Sequence, residues 1–360
     1  MKIALDCIIY ELQRLGGIST YWEGLVEYLS QVPDVELSLR LPRGFPSSEL
    51  PKGSIASIRR DILPAGIARY LPVFVDGSAD LHHSSYYRTP ISPRIRSVVT
   101  VHDFIYEKFR RGLPLWVHSA QKLAAIKRAQ AIICVSRNTR RDLLEYVPEV
   151  DPERVVVIPL GVAHEQMWPL SSGERDLSVS DVVLFVGQRF GYKRFDLAVD
   201  AVSLLNEMRL GIVGPALSEK EIALLNEALG RRWKYFGVVP ADRLRVIYGS
   251  CFAFIYPSSY EGFGLPILEA MACGAPAVVA CLSAFPEVGG DAALYAESQT
   301  PKAYASHLQS LMASEHRAAK VREGIAHARQ FSWDTTFART LESYRRLANG
   351  EAVAPLSCRQ

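Results

Sequence analysis

The six cysteines of this chain, at positions 7, 134, 251, 273, 281 and 358, form no C-x-x-C pair. Most stand among apolar residues, where a free thiol behaves as a small hydrophobe. That favours a reducing compartment over a disulfide framework. No Asp-x-Asp occurs, so the usual carboxylate pair for a nucleotide-bound metal is missing. There is no Walker lysine and no Gly-x-Ser-x-Gly elbow. No apolar run reaches the roughly 18 residues of a membrane-spanning helix. The start, Met-Lys-Ile-Ala-Leu-Asp-Cys, reads as a strand and not as a secretory leader. The expected location is therefore cytoplasmic. Net charge is +3, and residues 1–165 hold all of the excess, with 21 Lys and Arg against 18 Asp and Glu. So small a surplus, without a nucleic-acid-binding motif, gives no nucleic-acid partner.

What is present is the pattern of an α/β protein. A chain of 360 residues is too long for one ordinary core and suits two domains. Short apolar runs alternate with helical periods, as a parallel sheet with crossover helices requires. Strands are expected at 3–7, 35–40, 97–102, 131–135 and 155–159, with helices at 18–30, 115–129 and 137–146. The polar stretch Ser171-Ser-Gly-Glu-Arg-Asp reads as a linker, which bounds a first domain at 1–170. A second βα series then runs from the strand at 182–186 to the strand at 277–280, and helices dominate after it. Lys108, Arg110, Arg111, Lys122, Lys127, Arg128, Arg137, Arg140 and Arg141 surround an amphipathic segment bearing Trp116 and Leu123. Such a face could rest on anionic lipid, or be an ordinary solvated helix.

The most telling stretch is Glu261-Gly-Phe-Gly-Leu-Pro-Ile-Leu-Glu269. It follows an apolar strand, and ligands of parallel sheets bind outside the carboxyl ends of strands. Pro266 suits the first helical position, so the amides near Leu265 to Ile267 become phosphate donors at the positive end of a helix. Gly264 lets a ligand approach the backbone. Spacing alone equally allows Glu269 to complement the helix dipole from the first turn and Glu261 to be a solvated loop residue. Other candidates carry the same ambiguity. Gly16 and Gly17 open a helix after the first strand, as a phosphate loop or a plain turn. His102 and Asp103 end a buried strand, where a histidine can donate a hydrogen bond or simply shape a loop. Arg189 and Lys193 lie on the loop after strand 182–186 and suit diphosphate oxygens, or form a basic surface loop, with Arg194 a competitor for Lys193. His82-His83 has no partner at metal-ligand spacing and is at most a strand end facing a cleft.

Residues 258–274, Ser-Ser-Tyr-Glu-Gly-Phe-Gly-Leu-Pro-Ile-Leu-Glu-Ala-Met-Ala-Cys-Gly, closely resemble the Glu-x7-Glu signature of retaining glycosyltransferases of family 4. The resemblance implies a GT-B fold: two Rossmann-like doubly wound domains facing a cleft. The first would bind acceptor (1–170) and the second the nucleotide-sugar donor (171–330). Residues 331–360 would hold a helix crossing back to the first domain, and catalysis would need the domains to close. It implies that Glu261 contacts the transferred sugar and Glu269 the ribose. Arg189 and Lys193 would neutralise the leaving diphosphate with Gly16, Gly17, Gly264, Leu265, Pro266 and Ile267. His102 would touch the sugar, and Phe236 and Val238 would flank the base. No metal or other cofactor is expected. The strings around Val101-His102-Asp103 and Val186-Gly187-Gln188-Arg189 resemble a mannosyltransferase subgroup of bacterial O-antigen and exopolysaccharide assembly. The donor then expected is GDP-mannose, with UDP-hexose the other option. The acceptor would be a lipid-linked glycan, reached at the inner face of the cytoplasmic membrane. A sugar-nucleotide epimerase of the same fold, or a binding protein without catalysis, are the alternatives.

Overall fold

A computed structural model describes residues 1–13, 16–51, 53–109 and 112–353, with backbone only for 113–116. Arg110, Arg111 and Cys358, and the side chains of Leu115 and Trp116, lie outside it. The chain divides into two compact units, Met1–Leu160 with Trp333–Gln360, and Gly161–Ser332. The division falls ten residues ahead of the expected boundary at 170, as residue numbers count. The stretch expected as linker belongs instead to the second unit. Ser171 and Glu174 close a capping box there, Glu174 pairs with Arg245, and Asp176 pairs with Arg243.

The first unit is built on seven parallel strands: β1 (Lys2–Asp6), β2 (Glu36–Leu41), β3 (Ile55–Arg60), β4 (Leu81–Ser84), β5 (Arg96–Val101), β6 (Ala131–Cys134) and β7 (Val155–Val157), in spatial order β3-β2-β1-β4-β5-β6-β7. Its helices are α1 (Ile9–Leu12), α2 (Gly17–Ser30), α3 (Ala65–Ala68), α4 (Ile105–Phe109), α5 (Leu113–Arg128) and α6 (Arg137–Tyr146). Strands covered on both faces must be apolar throughout, and Val98, Val99, Val101, Ile132, Ile133 and Cys134 are accordingly buried. Two strands have no apolar run to announce them. β3 is an edge strand exposed along most of its length, and β4 carries two histidines yet is wholly buried.

The second unit has six parallel strands: β8 (Val182–Val186), β9 (Arg209–Val213), β10 (Trp233–Gly237), β11 (Ala253–Tyr256), β12 (Ala277–Ala280) and β13 (Leu294–Ala296), in order β10-β9-β8-β11-β12-β13. This is the dinucleotide-fold order, with its switch point between β8 and β11. Around it pack α7 (Phe195–Ser203), α8 (Glu219–Leu229), α9 (Ala241–Ser250), α10 (Leu265–Cys273), α11 (Phe285–Gly289), α12 (Pro301–Ser310) and α13 (Ser314–Ala328). Val183, Phe185, Val199, Leu210, Ile212 and Leu308 are fully buried in one cluster, each contributing about 1.5–3 kcal/mol of burial.

The last helix, α14 (Trp333–Ala348), packs on α2 of the first unit. Gly24 makes that approach possible, since a Cβ there would lie 2.6 Å from the Phe337 ring. Tyr344 is buried and bonds His83 Nδ1, while His83 Nε2 meets the Thr100 hydroxyl at 3.0 Å. His83 is thus a core residue, not a strand end facing a cleft. On the opposite face of β4, His82 is 1% exposed and neither ring nitrogen has a partner. Close by, Arg88 bonds Asp6 at 3.0 Å and Asp61 at 2.8 Å, and Arg40 joins Asp61 at 3.1 Å. These pairs tie the segments after β3 and β4 to each other and to β1 and β2. Burial pushes the Asp6 carboxyl up to about 6 against the pull of Arg88.

Burial, with Arg88 and Arg40 nearby, pushes His82 down to about 3. A depressed folded-state value means stabilisation that is present above the unfolded value, 6.5, and is lost as pH falls. His82→Leu should therefore remove about 2 kcal/mol of acid sensitivity at pH 5. Melting temperatures of both proteins between pH 7.5 and 5 test this; parallel curves would show that His82 does not titrate on unfolding.

Candidate active site

At the carboxyl edge of the second sheet, three neighbouring strands end in glycine at positive φ: Gly187, Gly214 and Gly237. The Gly187 amide bonds Val213 O and the Gly214 amide bonds Gly237 O, both at 2.9 Å, so the strand ends are laced together. Gly214 tolerates no side chain, because a Cβ would lie 2.4 Å from the Gly187 carbonyl oxygen. Backbone is therefore bare where a ligand of this fold would lie.

The loops after β8 and β11 flank the switch point, and each brings one charge. Lys193 ends a short 3-10 turn, Gly191–Lys193, and Arg194 follows in the left-handed region at φ 50°. That turn separates two adjacent cations. Arg194 goes to Asp196 on the first turn of α7 at 3.1 Å. Lys193 goes inward, bonding the Tyr256 hydroxyl at 3.0 Å and forming a short ion pair with Glu261 Oε1. The Tyr256 hydroxyl in turn donates to Glu261 Oε1 at 2.9 Å. Burial alone would depress the ammonium; Tyr256 and Glu261 reverse that and hold it above the usual lysine range. The Tyr256 phenol is pushed up by burial and by Glu261. Glu261 itself is nearly buried, so it is not a solvated loop residue.

The backbone of Glu261 is clamped as well. Its N–H donates to Ser283 Oγ at 3.2 Å, and that hydroxyl donates to the Glu261 carbonyl at 2.6 Å. Ser283 adopts φ 57° to do so, a conformation uncommon outside glycine. Spacing gave no sign of Ser283 or Tyr256. A serine among strand-end residues and a tyrosine closing an apolar strand look ordinary until the two loops are seen together.

Arg189 is elsewhere. Its Nε donates to Glu221 at 2.7 Å and its second amino group to the carbonyls of Pro215 and Ala216 at 2.7 and 2.8 Å, while the first amino group is buried without a partner. Glu221 closes the capping box of α8 with Ser218. Arg189 and Lys193 are thus held by different loops and different acids.

α10 starts at Leu265 behind Gly264, which has φ 113°. Of the expected amide donors, Ile267 is engaged with Gly264 O at 3.0 Å and Pro266 has no N–H, which leaves Leu265. Glu269 is the fifth residue of this helix, so it lies in the second turn and not the first; α10 has no acid in its first turn. Complementing the helix dipole therefore does not explain it. Its carboxyl, 3.5 Å from the Tyr248 hydroxyl, is pushed up to about 7 by burial. Phe236 lies over the sheet: a Cβ on Gly211 of β9 would come within 3.0 Å of its ring. Val238 is exposed.

In the first unit, His102 follows β5 with its ring edge-on to Tyr21 at 5.5 Å and with Nε2 buried and unpartnered. Burial, then Lys122, lowers it to about 4, so it is neutral near pH 7. Asp103 accepts from the Ile105 amide at 2.9 Å, which fixes the loop. Gly16 and Gly17 begin α2, with Gly17 exposed. The expected basic face does not survive intact. Lys122 is buried between Glu107 and the Phe104 ring, and Lys108 and Lys127 pair with Asp142 and Glu149. Among the described residues no cluster of His, Cys, Asp or Glu could hold a metal ion, and no helix is long and apolar enough to cross a membrane.

A raised folded-state carboxyl stabilises below its unfolded value of 4.5 and loses that contribution as pH rises towards about 7. Glu269→Gln should therefore be more stable than the wild type above pH 7, by up to about 3 kcal/mol, with the gap closing towards pH 4.5. Chemical denaturation across that range measures it; a constant gap would place the carboxyl in water.

Comparison with known proteins follows the division of the chain. Residues 15–166 match the model of Glycosyltransferase Family 4, and residues 177–327 match that of Glycosyl transferases group 1. O-antigen chain mannosyltransferase B of Escherichia coli is 44% identical over 115 residues, 32% of this chain and 30% of that protein. The D-inositol 3-phosphate glycosyltransferase of Segniliparus rotundus is 30% identical over 291 residues, 69% of this chain and 64% of that protein. The match therefore takes in less than two thirds of either relative's length. In fold the chain is similar to sucrose-phosphate synthase from Thermosynechococcus elongatus, with a TM-score of 0.77 at 18% identity, over 98% of this chain and 100% of the other. Two Rossmann-like units with these strand orders are the GT-B architecture. With each half matched by a glycosyltransferase model, the chain belongs to the glycosyltransferases.

Proposed function

We propose that the protein transfers a hexose, with retention at the anomeric carbon, from a nucleotide-diphosphate sugar to a glycan acceptor. One observation carries this reading. The Lys193–Tyr256–Glu261 cluster stands at the switch point between β8 and β11, beside the bare glycine edge and the start of α10. In a donor complex Lys193 would meet the diphosphate as a point charge. The Leu265 amide and the unpaired amino group of Arg189 would add hydrogen bonds to it. Such preorganised donors stabilise a leaving nucleoside diphosphate as its charge develops, without a metal. Glu261 would accept from hydroxyls of the transferred sugar, and Glu269 from the ribose. His102, neutral near pH 7, would hydrogen-bond the sugar and does not serve as a cation. By the family resemblance, Gly16 and Gly17 would contact the donor phosphates, and Phe236 and Val238 the base.

GDP-mannose is the first donor to test. The motif strings point there, and so does the name of the E. coli relative, an O-antigen chain mannosyltransferase. A lipid-linked glycan in surface-polysaccharide assembly is the matching acceptor, used at the cytoplasmic face of the membrane. For contact with anionic lipid, the segment around α5 offers less free positive charge than its composition promised, because Lys108, Lys122 and Lys127 are paired.

Thermal stabilisation across a panel of nucleotide sugars identifies the donor, since a ligand of the folded state raises apparent stability by mass action. Lys193→Ala and Glu261→Gln should lower kcat for donor hydrolysis and transfer by about 10²–10³-fold while the proteins stay folded. Full activity in both would overturn the site. Turnover of donor alone to an epimeric nucleotide sugar would favour an epimerase, and binding without any turnover a binding protein.

A further inference from the structure

Lys193 and Glu261 are bonded to each other, although the function proposed above gives them to different parts of the donor. A phosphate that draws Lys193 away would leave a nearly buried carboxylate without its cation, and an uncompensated buried acid is costly. A third group meets that demand. The Tyr256 hydroxyl accepts from Lys193 and donates to Glu261 Oε1, the same oxygen that Lys193 holds. Both side-chain bonds to Glu261 thus fall on Oε1, which leaves Oε2 available to a ligand. The phenol cannot swing away: its ring stacks on Phe254 at 5.4 Å and packs against Phe285 at 5.5 Å, and the residue is 2% exposed. Ser283 fixes the Glu261 main chain by both its N–H and its carbonyl, so the freedom left is rotation of the Glu261 side chain. Tyr256 opposes that rotation.

Resting on the donor-site reading of Lys193 and Glu261, we propose that Tyr256 is a positioning residue. Its hydroxyl holds Glu261 Oε1 when a donor diphosphate draws Lys193 off, which keeps Oε2 aimed at the transferred sugar. The phenol stays protonated throughout and exchanges no proton with the substrate. Phenylalanine would keep the ring packing and lose the hydroxyl's bonds to Glu261 and Lys193.

The test is a double-mutant cycle on the full chain, with the donor found by the screen above and the nucleoside diphosphate as a sugar-free probe. Tyr256→Phe should melt close to the wild type and bind the nucleoside diphosphate within about threefold of it. Its kcat should fall by about tenfold or more, because only the sugar senses Glu261. In the Glu261→Gln background, adding Tyr256→Phe should cost little further, since residues acting through one another are not additive. Wild-type kcat in Tyr256→Phe, with Lys193→Ala and Glu261→Gln both impaired, would overturn the role of Tyr256 and leave the donor site standing. Fully additive losses would overturn it too, by showing that the hydroxyl acts independently of Glu261. Lys193→Ala and Glu261→Gln active at wild-type level would instead remove the donor site itself.

Discussion

In the second unit the chain leaves β8 towards β9 on one side and leaves β11 towards β12 on the other. Two adjacent strands whose connections diverge cannot cover the space above their own ends. The rest of the site follows from that constraint. Each loop must begin next to the other and then turn away, so Lys193 and Glu261, 68 residues apart in sequence, meet as an ion pair. Neighbouring strands are kept open by glycines, and α10 points its start at the same spot. The charges are held by a tyrosine in the core and a serine in a strained conformation, so the rigidity of the sheet passes directly to Glu261.

Much of this was legible in sequence, and the reason is local. The glutamate loop, Gly264, Pro266 and the Arg189–Lys193 loop are short-range features whose residue types carry their own chemistry. The alternation of strands and helices gave most of both sheets; it missed β3, β4 and the three-residue edge strand β13, which follows the last expected strand. β3 is an exposed edge and β4 is buried despite two histidines, so hydrophobic pattern could not reveal either. What was not legible is which partner each side chain takes. Arg189 looked equivalent to Lys193, but Glu221 and two carbonyls hold it in another loop. Lys122 looked like part of a basic face, but it is buried on Phe104 beside Glu107. Glu269 was placed one turn too early because α10 begins before its proline. Partner choice depends on loops converging over tens of residues, and no spacing rule encodes that.

Each unit buries a titratable group with little to satisfy it beside charges that are fully paired. In the first, histidines are kept neutral by burial, and His82 has no hydrogen bond to offset the loss of water. Arginines and aspartates nearby form a connected network in which each charge has a partner. In the second, Glu269 is left with one long contact and a carboxyl raised by burial. A buried acid with so little to satisfy it is expensive to keep. A pair of ribose hydroxyls would supply the hydrogen bonds it lacks.

The return of α14 to the first unit has a consequence for how the protein is made. Residues 161–332 are an insertion between β7 and α14, so the first unit is not contiguous in sequence. Domains emerging from the ribosome generally fold in order from the amino end. Here the second unit has all of its residues while the first still lacks the helix that carries Phe337 and Tyr344 and gives His83 its partner. The half of the molecule synthesised first is therefore completed last, and until residues 333–348 arrive, the α2 face is an apolar surface open to other chains.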